Sequence, residues 1–206
     1  MLGLLYLTVR GIMNGDMAEE MLRALGEVLS ELSERNDLFV CGGMALVLQR
    51  LSNRPTRDID AMGQVVEREG ILELQKPMLS RGLLDAIERV GNLYGRGKNW
   101  LNTAAIILHD DTVLPEGMVE RAEVRKYGDC LVIRLCSRKD MVCLKMWAAL
   151  DPERSGPDVG DLLEIGATEE EVLDGYKWCA AQGGDKEALR VIIAEVGHGS
   201  LAERLG

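Results

Sequence analysis

From Met17 to Arg35 the apolar residues Met21, Leu22, Leu25, Val28, Leu29 and Leu32 recur at intervals of three and four, the spacing of one helix face. The short run "DLFVC" then reads as a buried strand ended by Gly42-Gly43. "MALVLQRL" is an apolar helix that stops before "SNRP", because Pro55 disfavours helix at Arg54. "TRDIDAM" is the next strand. This order of helix, strand, glycine pair, helix and strand suits an α/β sandwich. Further on, "GLLDAIERVGNLYG" predicts a helix closed by glycines, and "WLNTAAIIL" is ambiguous between helix and strand. "RAEVRKYGDCLVIRL" reads as a hairpin around Gly128-Asp129. Ser137 caps a helix running to about Leu150, with Asp140 at the capping-box position. After a loop, "DPERSGP", the chain turns helical to its end, with Thr168 and Glu171 forming a second box and Asp185 capping the last helix. The division that follows is an extra segment over 1–16, a mixed α/β domain over 17–152 and a helical C-terminal portion over 153–206. No internal repeat is visible.

Composition narrows the function classes more than the fold. A chain of 206 residues, 47% hydrophobic and 28% charged, builds one substantial core. Its net charge of −10 argues against coating nucleic acid through a broad basic face, yet leaves room for a nucleotide or RNA end held by a few cations. Five cysteines with no CxxC pair indicate neither a disulfide framework nor a zinc ribbon, and fit buried thiols in a reducing cytoplasm. Only His109 and His198 are present, so a histidine-rich metal site is excluded. The apolar start "MLGLLYLTVRGIM" is too short for a membrane span and lacks a basic n-region, so no membrane association is expected.

The chemistry concentrates between residues 41 and 60. Asp58 and Asp60 alternate on an expected strand, so both side chains leave one face while Ile59 points inward. Two carboxylates roughly 7 Å apart along a strand repel each other unless a cation sits between them. Magnesium prefers such oxygen ligands, completed by water and substrate phosphates. The plainer alternative is a solvated strand end. Gly42-Gly43, between a strand and a helix, allow backbone amides to approach a phosphate closely; the alternative is a tight turn. Arg54 and Arg57, just before the carboxylates, offer guanidinium groups to phosphate oxygens or to the aspartates themselves. "GNLYGRGKN" has the look of a P-loop, but its glycine spacing is broken and Asn99 replaces the Ser/Thr that would hold magnesium. Lys145, amid Met141, Leu144, Met146 and Ala148, either snorkels to water or enters a polar cleft. Asp158 and Asp161 share a helix face near its start, where carboxylates commonly compensate the dipole.

With these residues in place, the chain resembles the nucleotidyltransferase superfamily with the DNA-polymerase-β-like fold, in its bacterial AbiEii-like branch. The resemblance rests on Gly42-Gly43 followed by Ala45-Leu46, then Arg54, Thr56, Asp58 and Asp60. "WLN" at 100–102, the hairpin, "S-x-x-D…LK" at 137–145 and an aspartate pair before "TEEEV" extend it from about residue 20 to the end. It implies a mixed sheet flanked by helices, with Asp58 and Asp60 holding magnesium or manganese. Gly42, Gly43, Arg54, Thr56 and Arg57 would face a nucleoside triphosphate. In toxin members a lysine on a later helix and an aspartate beyond it contribute to activity. Lys145 matches the first, and Asp158 or Asp161 the second. Many members carry a third carboxylate on a further strand; here Asp110 and Asp111 fall in an expected loop, and the hairpin strand offers Val132 and Arg134.

The expectation is therefore transfer of a nucleoside monophosphate from a magnesium–NTP to a hydroxyl. By resemblance the acceptors include tRNA ends, protein hydroxyls and small antibiotics, among which the sequence selects none; RNA or protein is a candidate acceptor and an antitoxin-like protein a candidate partner. A catalytically silent nucleotide-binding or interaction module on the same fold is the alternative.

Overall fold

The computed structural model describes residues 11–76, 79–103 and 113–206. Helix α1 (Gly15–Glu31) is capped by Asn14, whose side-chain oxygen accepts the Met17 amide at 2.9 Å. Its buried stripe contains Met21, Leu22, Leu25, Val28 and Leu29, as the spacing predicts. It stops short of Arg35 because Ser33 takes a left-handed turn at φ 55°. Met13, ahead of the helix, is fully buried and bridges Thr56 through backbone hydrogen bonds of 2.6 and 3.0 Å.

The sheet runs β3-β2-β1-β6-β5, with β4 pairing on β2. Its centre is β1 (Asn36–Cys41), parallel to β6 (Leu131–Leu135) and antiparallel to β2 (Ile59–Arg68). Between β1 and β2 lies α2 (Gly42–Leu48). The strand read from "TRDIDAM" continues to Arg68 and folds back as β3 (Ile71–Gln75) through Glu69-Gly70, both at positive φ (52° and 81°). Leu72 and Leu74 alternate with exposed Glu73 in this edge strand, but the run is short and follows the charged stretch Glu67-Arg68-Glu69, so the hairpin is not evident in the sequence.

Helix α3 (Arg81–Leu93), capped by Ser80, leads through a 3-10 turn (Gly97–Asn99) into β4 (Leu101–Asn102), parallel to β2. The first residues of "WLNTAAIIL" are thus strand. Residues 104–112, Asp110 and Asp111 among them, lie outside the described residues. β5 (Glu123–Tyr127) and β6 form the predicted hairpin around Gly128-Asp129. Ser137 caps α4 (Arg138–Ala148), and fully buried Asp140 receives a forked guanidinium from Arg121 at 2.7 and 3.2 Å.

Helix α5 (Ser155–Glu164) begins inside the stretch read as a loop, because Pro157 falls in its first turn, where a missing N–H leaves no bond unmade. α6 (Glu169–Ala181) starts with the predicted Thr168–Glu171 box, and Asp185 caps α7 (Lys186–Glu195). A break at Gly197 (φ 95°) sets off a further short helix, α8 (Gly199–Arg204), so Asp185 does not cap the last one. α6 packs on α4, where Trp147 and Trp178 meet edge to face at 6.0 Å. A cluster of buried apolar side chains runs from Met13 through the sheet to Leu201 on α8. The protein is therefore the expected mixed α/β fold, a mixed sheet with flanking helices. Among the described residues no helix is long and apolar enough to cross a membrane.

Candidate active site

Ile59 is fully buried, while Asp58 and Asp60 on either side of it are half-buried. Asp58 stands just before β2 and Asp60 within it. Asp60 lies opposite Cys41 on β1 and Asn102 on β4. The Asn102 amide nitrogen donates to Asp58 Oδ2 at 2.8 Å, and Asn102 stands beside Asp60 across the two strands, near enough to favour its charged form. One short side chain adjoins both acids, so the pair faces the same way, as strand alternation requires.

The glycine pair stands against these acids. Gly42 has φ +75°, and a Cβ on it would sit 2.7 Å from Asp60 Oδ2. A Cβ on Gly43 would sit 2.8 Å from the Thr56 methyl and 3.7 Å from a terminal nitrogen of Arg54. Only glycine combines this backbone with so close an approach. Thr56 completes the turn by donating its hydroxyl to the Asp58 carbonyl at 3.0 Å. Arg57 is exposed, and its side chain makes no hydrogen bond or ion pair among the described residues.

A second charged group adjoins the first. The Lys145 ammonium lies 2.6 Å from Asp158 Oδ1 and 2.7 Å from Asp161 Oδ2, all three side chains at most 10% exposed. The lysine does not snorkel to water; α4 directs it at α5. Arg54 reaches Asp161 Oδ1 at 2.6 Å, and Arg154 approaches Asp158 Oδ2 at 3.5 Å. Asp158 and Asp161 thus serve as counter-ions more than as helix-start charges. Glu164, at the end of α5, accepts the Asn53 backbone amide at 2.9 Å, so this helix grips the loop that carries Arg54.

The electrostatics join the two groups. Burial, then the charge of Asp58, pushes the Asp60 carboxyl up from 3.8 to about 6, against the opposing pull of Lys145, Arg154 and Asn102. Burial pulls Lys145 down, but Asp158 and Asp161 outweigh it and hold the ammonium above its ordinary range. Cys41, pushed far up by burial and then by Asp60, stays a thiol and is no nucleophile.

Sequence reasoning did not single out Arg154 or Asn102 for a role. Arg154 sits in a string read as loop, and a two-residue strand has no periodicity to betray it. The P-loop look-alike has a structural role instead. Arg96 donates to the carbonyls of Ile12 (2.8 Å), Gly11 (3.4 Å) and Arg57 (2.8 Å), steadying the approach to β2. Among the described residues no group of three or more His, Cys, Asp or Glu is placed to hold a metal. On the hairpin strand, Arg134 forks onto Asp37 at 2.8–3.1 Å. Asp58 and Asp60 are hard oxygen donors that suit magnesium, which readily keeps waters and substrate phosphates as its other ligands.

Residues 20–154 match a family described as nucleotidyltransferase of unknown function (DUF6036), a span that includes the glycine pair, Asp58, Asp60 and Lys145. No curated protein and no solved structure matches the chain. With well over half its length covered by that match, the chain belongs to this nucleotidyltransferase family.

Proposed function

We propose that this protein transfers a nucleoside monophosphate from a magnesium- or manganese-bound NTP to a hydroxyl acceptor. The acceptor oxygen forms a bond to the α-phosphorus, the bond from that phosphorus to the bridging oxygen breaks, pyrophosphate leaves, and the hydroxyl proton passes to solvent. The cation, held by Asp58 and Asp60, would supply Lewis-acid polarisation and neutralise charge on the phosphates. Gly42 and Gly43 bring bare backbone close enough for their amides to meet the triphosphate, and the exposed Arg57 guanidinium suits its outer oxygens. Thr56 shapes that turn. Arg54 and Lys145 act from the side, and Asp158 and Asp161 hold those cations in place. The observation that carries the reading is the contact of Gly42 with Asp60, where an absent Cβ leaves the carboxylate open to the turn.

The acceptor we favour is an RNA end or a protein hydroxyl in a bacterial toxin–antitoxin setting, with an antitoxin-like protein as partner and the cytoplasm as location. A silent binding module is the second reading, favoured by the lack of a third carboxylate beside Asp58 and Asp60 among the described residues. Calorimetry with magnesium and each NTP, followed by labelled-NTP transfer to RNA and protein, separates the two. A transferase labels an acceptor, and Asp58→Asn with Asp60→Asn abolishes both binding and labelling. Magnesium-dependent binding that is equal in wild type and double variant would remove these aspartates from the site.

A further inference from the structure

β4 is only two residues long, yet the chain anchors it firmly. Trp100, 1% exposed, donates its indole N–H to the Ile87 carbonyl at 2.8 Å, and its own carbonyl accepts the Ile59 amide at 2.7 Å. Leu101, 2% exposed, pairs with Ile59. The result is to fix Asn102 beside Asp60. The neighbouring carboxylates are acceptors, so the amide must turn its NH₂ toward them. It binds Asp58 through Oδ2 alone, leaving Oδ1 without a hydrogen bond among the described residues. A side chain that ties down one oxygen of a carboxylate and leaves the other open is the arrangement that orients ligands around metals.

We propose that Asn102 is a positioning residue for the cation site, pinning Asp58 and Asp60 in one orientation before a divalent cation arrives. As a neutral donor it draws the two acids together, where a third carboxylate would drive them apart in the absence of metal. This inference rests on the cation site proposed above and assigns the chain's own amide a role there.

The test is Mn²⁺ calorimetry on the full chain, with melting temperatures in EDTA and in Mn²⁺, for wild type, Asn102→Ala, Asn102→Ser and Asn102→Asp. For Ala and Ser we expect folded proteins with Mn²⁺ affinity about 10- to 100-fold weaker. The Ser variant keeps the test open should Ala fail to fold. Asn102→Asp should melt below wild type in EDTA and regain that loss in Mn²⁺, because its added anion faces two others. Wild-type Mn²⁺ affinity in Ala or Ser, or an Asp variant as stable as wild type in EDTA, would overturn the assignment, leaving Asp58 and Asp60 as the site. Absence of Mn²⁺ binding in wild type itself would overturn the cation site and the role of Asn102 with it.

Discussion

The molecule contains two pairs of closely spaced aspartates that meet opposite fates. Asp158 and Asp161, on a helix, are almost fully buried and face Lys145, Arg54 and Arg154. Asp58 and Asp60, at the start of a strand, are half-buried, and the neutral amide of Asn102 binds the first and neighbours the second. Residue type is the same; the compensation is not. The helical pair belongs to a buried ion cluster in which three cations face two acids at short range, although one oxygen of each acid makes no hydrogen bond among the described residues. The strand pair keeps its mutual repulsion and the open face that a ligand cation requires. An aspartate pair whose repulsion neighbouring cations offset only in part is a stronger pointer to a site than one that is already matched.

The largest expected effect breaks the buried ion cluster. Lys145→Ala would leave two buried carboxylates with only flanking arginines, and breaking a buried pair in this way costs about 3–5 kcal/mol. Urea denaturation would show it as a lower midpoint, and an unchanged midpoint would mean that Arg54 and Arg154 suffice. Asp58→Asn with Asp60→Asn should act in the opposite sense. Relief of repulsion and of partial burial should raise stability by about 1 kcal/mol once solvent screening is allowed for. A loss of several kcal/mol in that variant would show the strand pair to be structural.

A pH series sharpens the same contrast. The Asp60 carboxyl is held at about 6 in the folded chain against an ordinary 3.8. The unfolded chain therefore releases this proton first. Its contribution to stability is at its greatest below about pH 4, falls as pH rises to about 6, and then levels. Asp60→Asn lacks this slope, so the stability gap between variant and wild type should widen across that window. Magnesium should bind progressively more weakly as pH drops below 6, because protons then compete for the ligand. The smallest effect on stability belongs to Arg57→Ala, within about 0.5 kcal/mol for an exposed side chain. Its loss should instead appear as weaker NTP binding.

Which parts were legible in the sequence follows from the range of the forces involved. The alternation of Asp58 and Asp60, the glycine pair and the caps at Ser137, Thr168 and Asp185 are local patterns, and they foretold local geometry. The β2–β3 hairpin escaped because β3 is a short, half-buried edge strand whose two inward leucines, Leu72 and Leu74, follow a charged stretch. The start of α5 escaped because Pro157 reads as a breaker unless the helix register is known. Asn102 and Arg154 come near Asp60 only through tertiary packing, over separations that no spacing rule spans. Lys145 was identified as ambiguous, and its direction was decided by the arrival of α5 beside α4.

The grip of α5 on the loop before β2 also has a kinetic meaning. The Asn53 amide lies in no helix or strand, and a hydrogen bond to Glu164 is what shelters it from exchange with solvent. Its exchange rate should therefore report the undocking of α5, with an opening free energy shared with that helix and not typical of a loop. Hydrogen exchange measured residue by residue would show Asn53 and the middle of α5 exchanging together. The turn bearing Arg54 would then open and close in step with the helix that holds Asp158 and Asp161, making the two charged groups one cooperative unit in time as well as in space.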